Sequence, residues 1–367
     1  MDMYVLSYFN NINTTFLEMK LDPTREYEKT ILITGESGFI GSHMVDHMVK
    51  KYPNYMIYGL DALTYAANRD NTKHLEKYSN YEFIKADIAN KDYINTLFND
   101  LGITDVIHLA AESHVDNSIE NPNVFVETNV IGTVNLLNAF RNCKEEGRFH
   151  HVSTDEVYGD LQMNDPAFLE TTPYDPSSPY SASKAASDHF VKAYHRTYGI
   201  DITMSNCSNN YGPHQHNEKL IPTVIRNFVE GNMVPVYGKG LNVRDWLYVK
   251  DHVKAIDMIF HFGKSGETYN VGGSVEMTNI DLVFKIGSIC YQREYINTNY
   301  ENQIEFVKDR PGHDFRYAIN SSKLQKELGW SPDPANFDKY LLETIDYYVE
   351  YIIKQREFVK RAVKKIT

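Results

Sequence analysis

Thr154, Asp155 and Glu156 stand in a row, and Tyr180 and Lys184 follow downstream, four residues apart. On a helix that spacing puts phenol and ammonium on one face. There the ammonium can lower the phenol pKa and help form a base that takes a hydroxyl proton. Alone, the pair describes oxidation of an alcohol. Two adjacent carboxylic side chains directed at the same substrate add an acid and a base for elimination. Together the five residues read as alcohol oxidation followed by loss of water.

These groups need elements that bring them together. On a continuing strand Asp155 and Glu156 would point to opposite faces, so the strand over 150–153 has to end by about Thr154. Ser153-x-x-Glu156 also matches a helix capping box, a purely structural reading that stays open at this point. Ser177-Ser178-Pro179 offers a hydroxyl cap and a proline for the first turn of a helix. That start places Tyr180 at the beginning of the helix and Lys184 one turn in. The small Ala182, Ala185 and Ala186 suit close packing there.

From Thr30 onward short apolar runs alternate with amphipathic segments, the pattern of a parallel sheet covered by helices. Strands are predicted over 30–34, 56–60, 82–86, 105–109, 150–153 and 202–206, and helices over 39–50, 91–101, 124–142 and 179–198. This is an α/β chain with a Rossmann-type doubly wound parallel sheet. A smaller C-terminal α/β substrate-binding domain follows. Residues 29–206 form the dinucleotide-binding domain, with 245–262 returning to it. Residues 207–244 and 263–348 are turn-rich and form the smaller domain, and 286–304 has no clear period. Residues 1–28 read as a loose extension, without the basic start and apolar block of a secretory signal. The stretch 349–367 reads as a basic tail helix with a solvated face.

Gly35-Glu-Ser-Gly38-Phe-Ile-Gly41 follows the first apolar run and opens a helix. The first glycines permit a tight turn and close approach of backbone to a pyrophosphate, whose charge meets the helix N-terminus. Asp61 lies 20 residues past Gly41, where a carboxylate accepts from an adenosine ribose. It would repel a 2′-phosphate, so NAD is expected rather than NADP. Asp87 and Ile88 end the third strand near the adenine, and Leu109, Ala110 and Ala111 leave room after the fourth. Glu36 is harmless if its side chain points outward and opposes the phosphates if it points inward.

The 367-residue chain carries a formal charge of −12, which argues against nucleic acid as a partner. Cys143, Cys207 and Cys290 are sparse and without metal-ligand spacing, as in a reducing cytoplasm. No apolar stretch approaches the roughly 18 residues of a membrane span. His43 and His47 lie four apart, but no third ligand accompanies them. They are expected on a solvated face, and no metal is assigned. His150 and His151 are expected to be structural.

Several blocks carry a resemblance over residues 30–348. They are Ala110-Ala-Glu-Ser-His-Val-Asp116, Phe149-His-His-Val-Ser-Thr-Asp-Glu-Val-Tyr-Gly-Asp160, Ser177-Ser-Pro-Tyr-Ser-Ala-Ser-Lys184, Asn206-Cys-Ser-Asn-Asn-Tyr-Gly-Pro213, Glu218-Lys-Leu-Ile-Pro222, Arg244-Asp-Trp-Leu-Tyr-Val249 and Asp309-Arg-Pro-Gly-His-Asp314. Together they resemble the dTDP-glucose 4,6-dehydratases, within the extended short-chain dehydrogenase/reductase superfamily. The Thr-Asp-Glu triplet is the specific part, since the related 4-epimerases usually carry a Ser there without the paired carboxylates.

The resemblance implies that Tyr180 takes the sugar 4-hydroxyl proton while C4 gives hydride to NAD. Thr154 holds that oxygen, and Lys184 binds the nicotinamide ribose. Glu156 removes the C5 proton, Asp155 protonates the leaving C6 hydroxyl, and the hydride returns to C6. Phe39, Ile40, Asp61, Leu63, Thr64, Asp87, Ile88, Ala110, Ala111, Thr128 and Asn210 would line the NAD site. Ser113, Asn209, Lys219, Leu220, Pro235, Tyr237, Arg244, Asn279, Asp309, Arg310 and His313 would hold the nucleotide sugar. A homodimer through the helices over 124–142 and 179–198 is also implied. The chain departs from the family pattern at Glu36, which replaces a usual Gly, and in its short loop 161–172. A UDP-glucose 4,6-dehydratase is the nearest alternative, and a nucleotide-sugar 4-epimerase a more distant one.

Overall fold

The computed structural model describes residues 26–143 and 147–366. The expected extension therefore lies outside the described residues up to position 25, as do the tail side chains of Lys360, Arg361, Lys364 and Lys365. In chain order the first strands are β1 Lys29–Thr34, β2 Tyr55–Asp61, β3 Tyr81–Lys85, β4 Asp105–His108, β5 Phe149–Thr154 and β6 Ile202–Cys207. The helices between them are α1 Phe39–Lys51, α2 Lys91–Leu101, α3 Val115–Glu120, α4 Pro122–Phe125, α5 Thr133–Arg141 and α6 Pro179–Tyr198. The second half adds β7 Asn209–Tyr211, α7 Leu220–Glu230, β8 Val234–Tyr237, β9 Val243–Tyr248, α8 Val249–Phe262, β10 Thr268–Val271 and β11 Glu276–Thr278. It closes with α9 Asn279–Gln292, β12 Ile304–Val307, α10 Ser322–Leu328 and α11 Phe337–Ile366.

The main sheet is seven-stranded, in the order β10-β6-β5-β4-β1-β2-β3, and every pair in it is parallel. This is the doubly wound Rossmann arrangement. Alternation along β1 shows why both faces close. Leu32 joins Leu97 and Phe98 of α2 and Leu136 of α5 on one face. Ile31 and Ile33 join Met44, Val45 and Met48 of α1 with Val253 and Ile256 of α8 on the other. Strands covered on both faces read as continuous apolar runs, the signal that located six of them. The seventh, β10, is four residues long and escapes that signal.

Two expectations need correction. The helix expected over 124–142 is interrupted, because Val126–Gly132 winds as a π-helix between α4 and α5. A Cβ on Gly132 would lie 2.6 Å from Ile88 Cδ1, so this widened turn brings the backbone onto the end of β3's following loop. The stretch 286–304 is not without a period. It contains the end of α9, whose buried Leu282, Val283, Ile286 and Cys290 form a helical stripe in the second core. That core also takes α7 and the first half of α11, which runs through position 349 without a break.

Candidate active site

The cleft lies at the carboxyl ends of β1, β2, β4, β5 and β6, where open α/β sheets bind ligands. Gly35 turns with φ +74°, and a Cβ there would sit 2.8 Å from the Ala110 nitrogen. A Cβ on Gly41 would lie 1.9 Å from the Gly35 carbonyl oxygen. The loop thus presents bare backbone to the cleft at the start of α1, as a phosphate cradle requires. Asp61 accepts from the Ser37 amide at 3.0 Å and from the Leu63 amide at 2.7 Å.

Gly35, Gly38, Phe39, Ile40, Gly41, Asp61, Thr64, Asp87, Ile88, Leu109, Ala110, Ala111, Thr128 and Asn210 all line this cleft, with Tyr180 and Lys184. Leu63 does not. Its backbone, at φ 58°, donates its amide to Asp61. Glu36 points away from the cradle and is fully buried. Tyr81 and Ser37 each donate to it at 2.8 Å and Thr72 at 3.1 Å, and Arg69 lies 3.8 Å away. Burial raises its carboxyl pKa against the pull of these donors. The negative charge therefore does not face the phosphates.

β5 ends at Thr154, and a 3-10 turn over Asp155–Tyr158 follows. Thr154 Oγ1 accepts the Glu156 amide at 3.3 Å. The capping is thus done by Thr154 and not by Ser153, whose hydroxyl donates to Asp188 at 2.9 Å. The turn brings Thr154, Asp155 and Glu156 to the cleft beside Tyr180 and Lys184. Ser178 caps α6 by accepting the Ser181 amide at 3.1 Å, and Pro179 opens its first turn.

The electrostatics separate the two carboxylates. Burial, then the charges of Glu156 and Asp245, push the Asp155 carboxyl well above the usual range. Burial also raises Glu156, but Lys219, Arg310 and Arg244 all pull it back. Carboxyls with such different surroundings suit an acid and a base respectively. For Tyr180 burial outweighs its neighbours. Burial, with Glu156, Cys207 and Asp155 nearby, raises its phenol pKa well above the ordinary value, opposed only by a hydrogen bond with Thr154. Burial is the largest cause; the Lys184 ammonium donates to the Val152 carbonyl at 2.9 Å. Burial lowers Lys184 itself, against the charges of Asp188 and Cys207.

Of the residues expected to hold a nucleotide sugar, Ser113, Asn209 and Lys219 line the cleft. Lys219 Nζ donates to the Ser113 carbonyl at 2.7 Å. Tyr237, Asp309, Arg310 and His313 gather on its rim around Asp116, which Tyr237 reaches at 3.3 Å and Arg310 at 3.5 Å. Arg244 packs on the Tyr317 ring at 4.3 Å and donates to the carbonyls of Val243, Asp314 and Phe315. Asn279 opens α9, Leu220 opens α7 and packs against the second core, and Pro235 is exposed on β8. Those three stand outside the cleft lining.

Sequence reasoning missed Cys207, Ser208, Gln215, His216 and Glu218, all of which line the cleft. Cys207 ends β6, Ser208 follows it directly, and Gln215, His216 and Glu218 lie in the loop between β7 and α7. His43 and His47 do not form a solvated face. His43 Nε2 donates to the Pro213 carbonyl at 2.9 Å and its ring stacks on His214 with centroids 4.6 Å apart, while His47 bonds Asp257 at 2.8 Å.

A family model described as GDP-mannose 4,6 dehydratase matches residues 32–344. The chain belongs to that family. It is 48% identical over 335 residues to the dTDP-glucose 4,6-dehydratase of Salmonella typhimurium, covering 87% of this chain and 92% of that one. The Haemophilus influenzae dTDP-glucose 4,6-dehydratase is 46% identical, with coverage of 87% and 97%. Among solved structures, DesIV, the dTDP-glucose 4,6-dehydratase of Streptomyces venezuelae with NAD and TYD bound, superposes with a TM-score of 0.82. It is 40% identical, over 88% of this chain and 97% of that one. The Thermus thermophilus UDP-glucose 4-epimerase in complex with NAD gives a TM-score of 0.77 at 28% identity, over 87% and 98%.

Proposed function

We propose that this chain is an NAD-dependent dTDP-glucose 4,6-dehydratase, a hydro-lyase that makes dTDP-4-keto-6-deoxyglucose for deoxysugar synthesis. One observation carries the reading: the turn at Thr154 brings two carboxyls of unlike acidity to the same cleft as Tyr180. A 4-epimerase would have no task for that pair.

The glycine cradle, Asp61 and the partnerless buried oxygens of Asn209 and Gln215 on the cleft wall fit a dinucleotide. Bound NAD would supply a hydride acceptor and donor. The residues do the rest. Tyr180 takes the proton of the 4-hydroxyl, with Thr154 holding that oxygen. The resulting 4-ketone acidifies the C5 proton, which Glu156 removes. Asp155, kept protonated by burial, gives its proton to the departing C6 hydroxyl as water. Lys184, in the cleft lining, would hold the nicotinamide ribose. Lys219 and Arg310 supply cations for a diphosphate.

In this reading residues 29–206 with 245–262 bind the dinucleotide, and 207–244 with 263–348 bind the nucleotide sugar. The tail over 349–367 has no assigned role. The chain is cytoplasmic, as its sparse cysteines support. Among the described residues no helix is long and apolar enough to cross a membrane. It also forms a homodimer. Val124, Val126 and Ile131 on one flank and Phe190 on α6 are exposed apolar side chains that an isologous contact would cover. A monomer by light scattering at micromolar concentration would contradict that contact.

Incubation with dTDP-glucose and with UDP-glucose tests the function. A 4-keto-6-deoxy product from dTDP-glucose is expected, with slower conversion of UDP-glucose. An epimerised sugar, or no reaction with either, would overturn the reading.

A further inference from the structure

Asp188 lies one turn past Lys184 on α6 and is 0% exposed. Three side chains converge on its carboxylate. His151 Nε2 reaches Oδ1 at 3.0 Å, and Ser153 Oγ and Tyr174 OH each donate to Oδ2 at 2.9 Å. His151 and Ser153 are alternate residues of β5, and Val152 between them accepts the Lys184 ammonium at 2.9 Å. Two buried charges of α6 therefore grip the last residues of β5 immediately before Thr154, Asp155 and Glu156. Tyr174 extends the grip to the loop before α6 and itself accepts from Asn206 Nδ2 at 3.2 Å.

We propose that Asp188 is a positioning residue for the reaction, the buried counter-charge that keeps Lys184 cationic and fixes β5's end against α6. A buried carboxylate is costly unless compensated by charge and hydrogen bonds; burial raises the Asp188 carboxyl, while the Lys184 charge one turn away and the Ser153 and Tyr174 hydroxyls pull it back. The inference rests on the proposed dehydratase reading. The groups facing Lys184 are Asp188 on its own helix, Cys207 on β6, and the buried His108 and His151 of β4 and β5. Those facing Asp188 are Lys184 and Lys192 on α6, His151 and Ser153 on β5, and Tyr174 and Tyr158 from the segment before α6. Neutral histidines add no charge, since burial lowers both well below their usual value. Asp188 is then the carboxylate that offsets the desolvation of Lys184.

The test is turnover of dTDP-glucose against pH for wild type, Asp188→Asn and Tyr174→Phe, with thermal unfolding of Asp188→Asn, Lys184→Met and the double variant. Removing the Asp188 charge lets the Lys184 ammonium deprotonate at lower pH. The alkaline limb of the kcat profile should move acidward by about one unit or more in Asp188→Asn. In Tyr174→Phe it should stay in place, because only a hydrogen bond is lost. In unfolding, Lys184→Met should relieve Asp188→Asn, making the double variant more stable than the sum of the single losses. A folded Asp188→Asn with a wild-type alkaline limb would overturn the proposal. So would strictly additive losses, or a double variant that fails to fold when Lys184→Met folds. If wild type does not convert dTDP-glucose, the dehydratase reading fails instead, and the unfolding cycle still decides the pairing.

Discussion

Thr154 Oγ1 accepts the backbone amide of Glu156 at 3.3 Å, and this bond turns the chain out of β5. Without it, a continuing strand would send Asp155 and Glu156 to opposite faces of the sheet. With it, both carboxyls reach one cleft, where the cations Lys219, Arg310 and Arg244 act on Glu156 while Asp155 stays buried beside it.

Asp155 should be a liability to the fold at neutral pH. Its raised folded pKa means that the native state binds the proton more tightly than the unfolded state. The stability it contributes is full below about pH 3.9, the unfolded value, and is lost as pH rises toward the folded pKa. Asp155→Asn should therefore raise Tm by about 2 °C or more at pH 8, with the gain vanishing near pH 4. Calorimetry at both pH values checks this. An equal or lower Tm at pH 8 would contradict it.

Much of the fold was readable because six strands are continuous apolar runs with helices between them, and burial on both faces leaves that trace. The turn at Thr154 was readable as a requirement of the chemistry. Its capping residue was not, since Ser153 and Thr154 both carry hydroxyls and only the buried Asp188 decides which one is free. The direction of Glu36 was equally hidden. Its partners Arg69, Thr72 and Tyr81 come from distant parts of the chain, and no local pattern joins them. Asp188, four residues past Lys184, has no local sequence signal that it is buried. Spacing places Lys184 one turn from Tyr180 but does not show how deeply the phenol is buried, and burial is what raises its pKa.

Glu36 should matter for stability rather than chemistry. Glu36→Ala strands the hydroxyls of Tyr81, Thr72 and Ser37 in a buried site, and should cost about 1–3 kcal/mol. Glu36→Gln keeps an acceptor and should cost less. Urea unfolding of both variants checks the ranking, and wild-type stability for Glu36→Ala would show that the buried network is idle.

The proposed cycle should consume no NAD, because the hydride that leaves C4 returns to C6. Turnover with dTDP-glucose should proceed with catalytic dinucleotide and release no NADH into solution, as followed by absorbance. Stoichiometric NADH would mark an ordinary dehydrogenase and remove any role for the carboxylate pair.

Tyr180→Phe should slow the first oxidation by about 10²–10⁴-fold, so that no transient NADH absorbance builds up on addition of substrate. Its ring stays packed against Phe125, with centroids 6.3 Å apart, so the fold should hold. A normal transient in this variant would take the proton-accepting role away from Tyr180.

The division of labour between the carboxylates is the centre of the account, and solvent-deuterium exchange at C5 in Glu156→Gln tests it most directly. The variant should still form the transient NADH, since Thr154, Tyr180 and Lys184 are untouched. Exchange at C5 should then fall by about 10²–10⁴-fold, because the base for that proton is gone. Exchange at the wild-type rate would show that Glu156 is not that base.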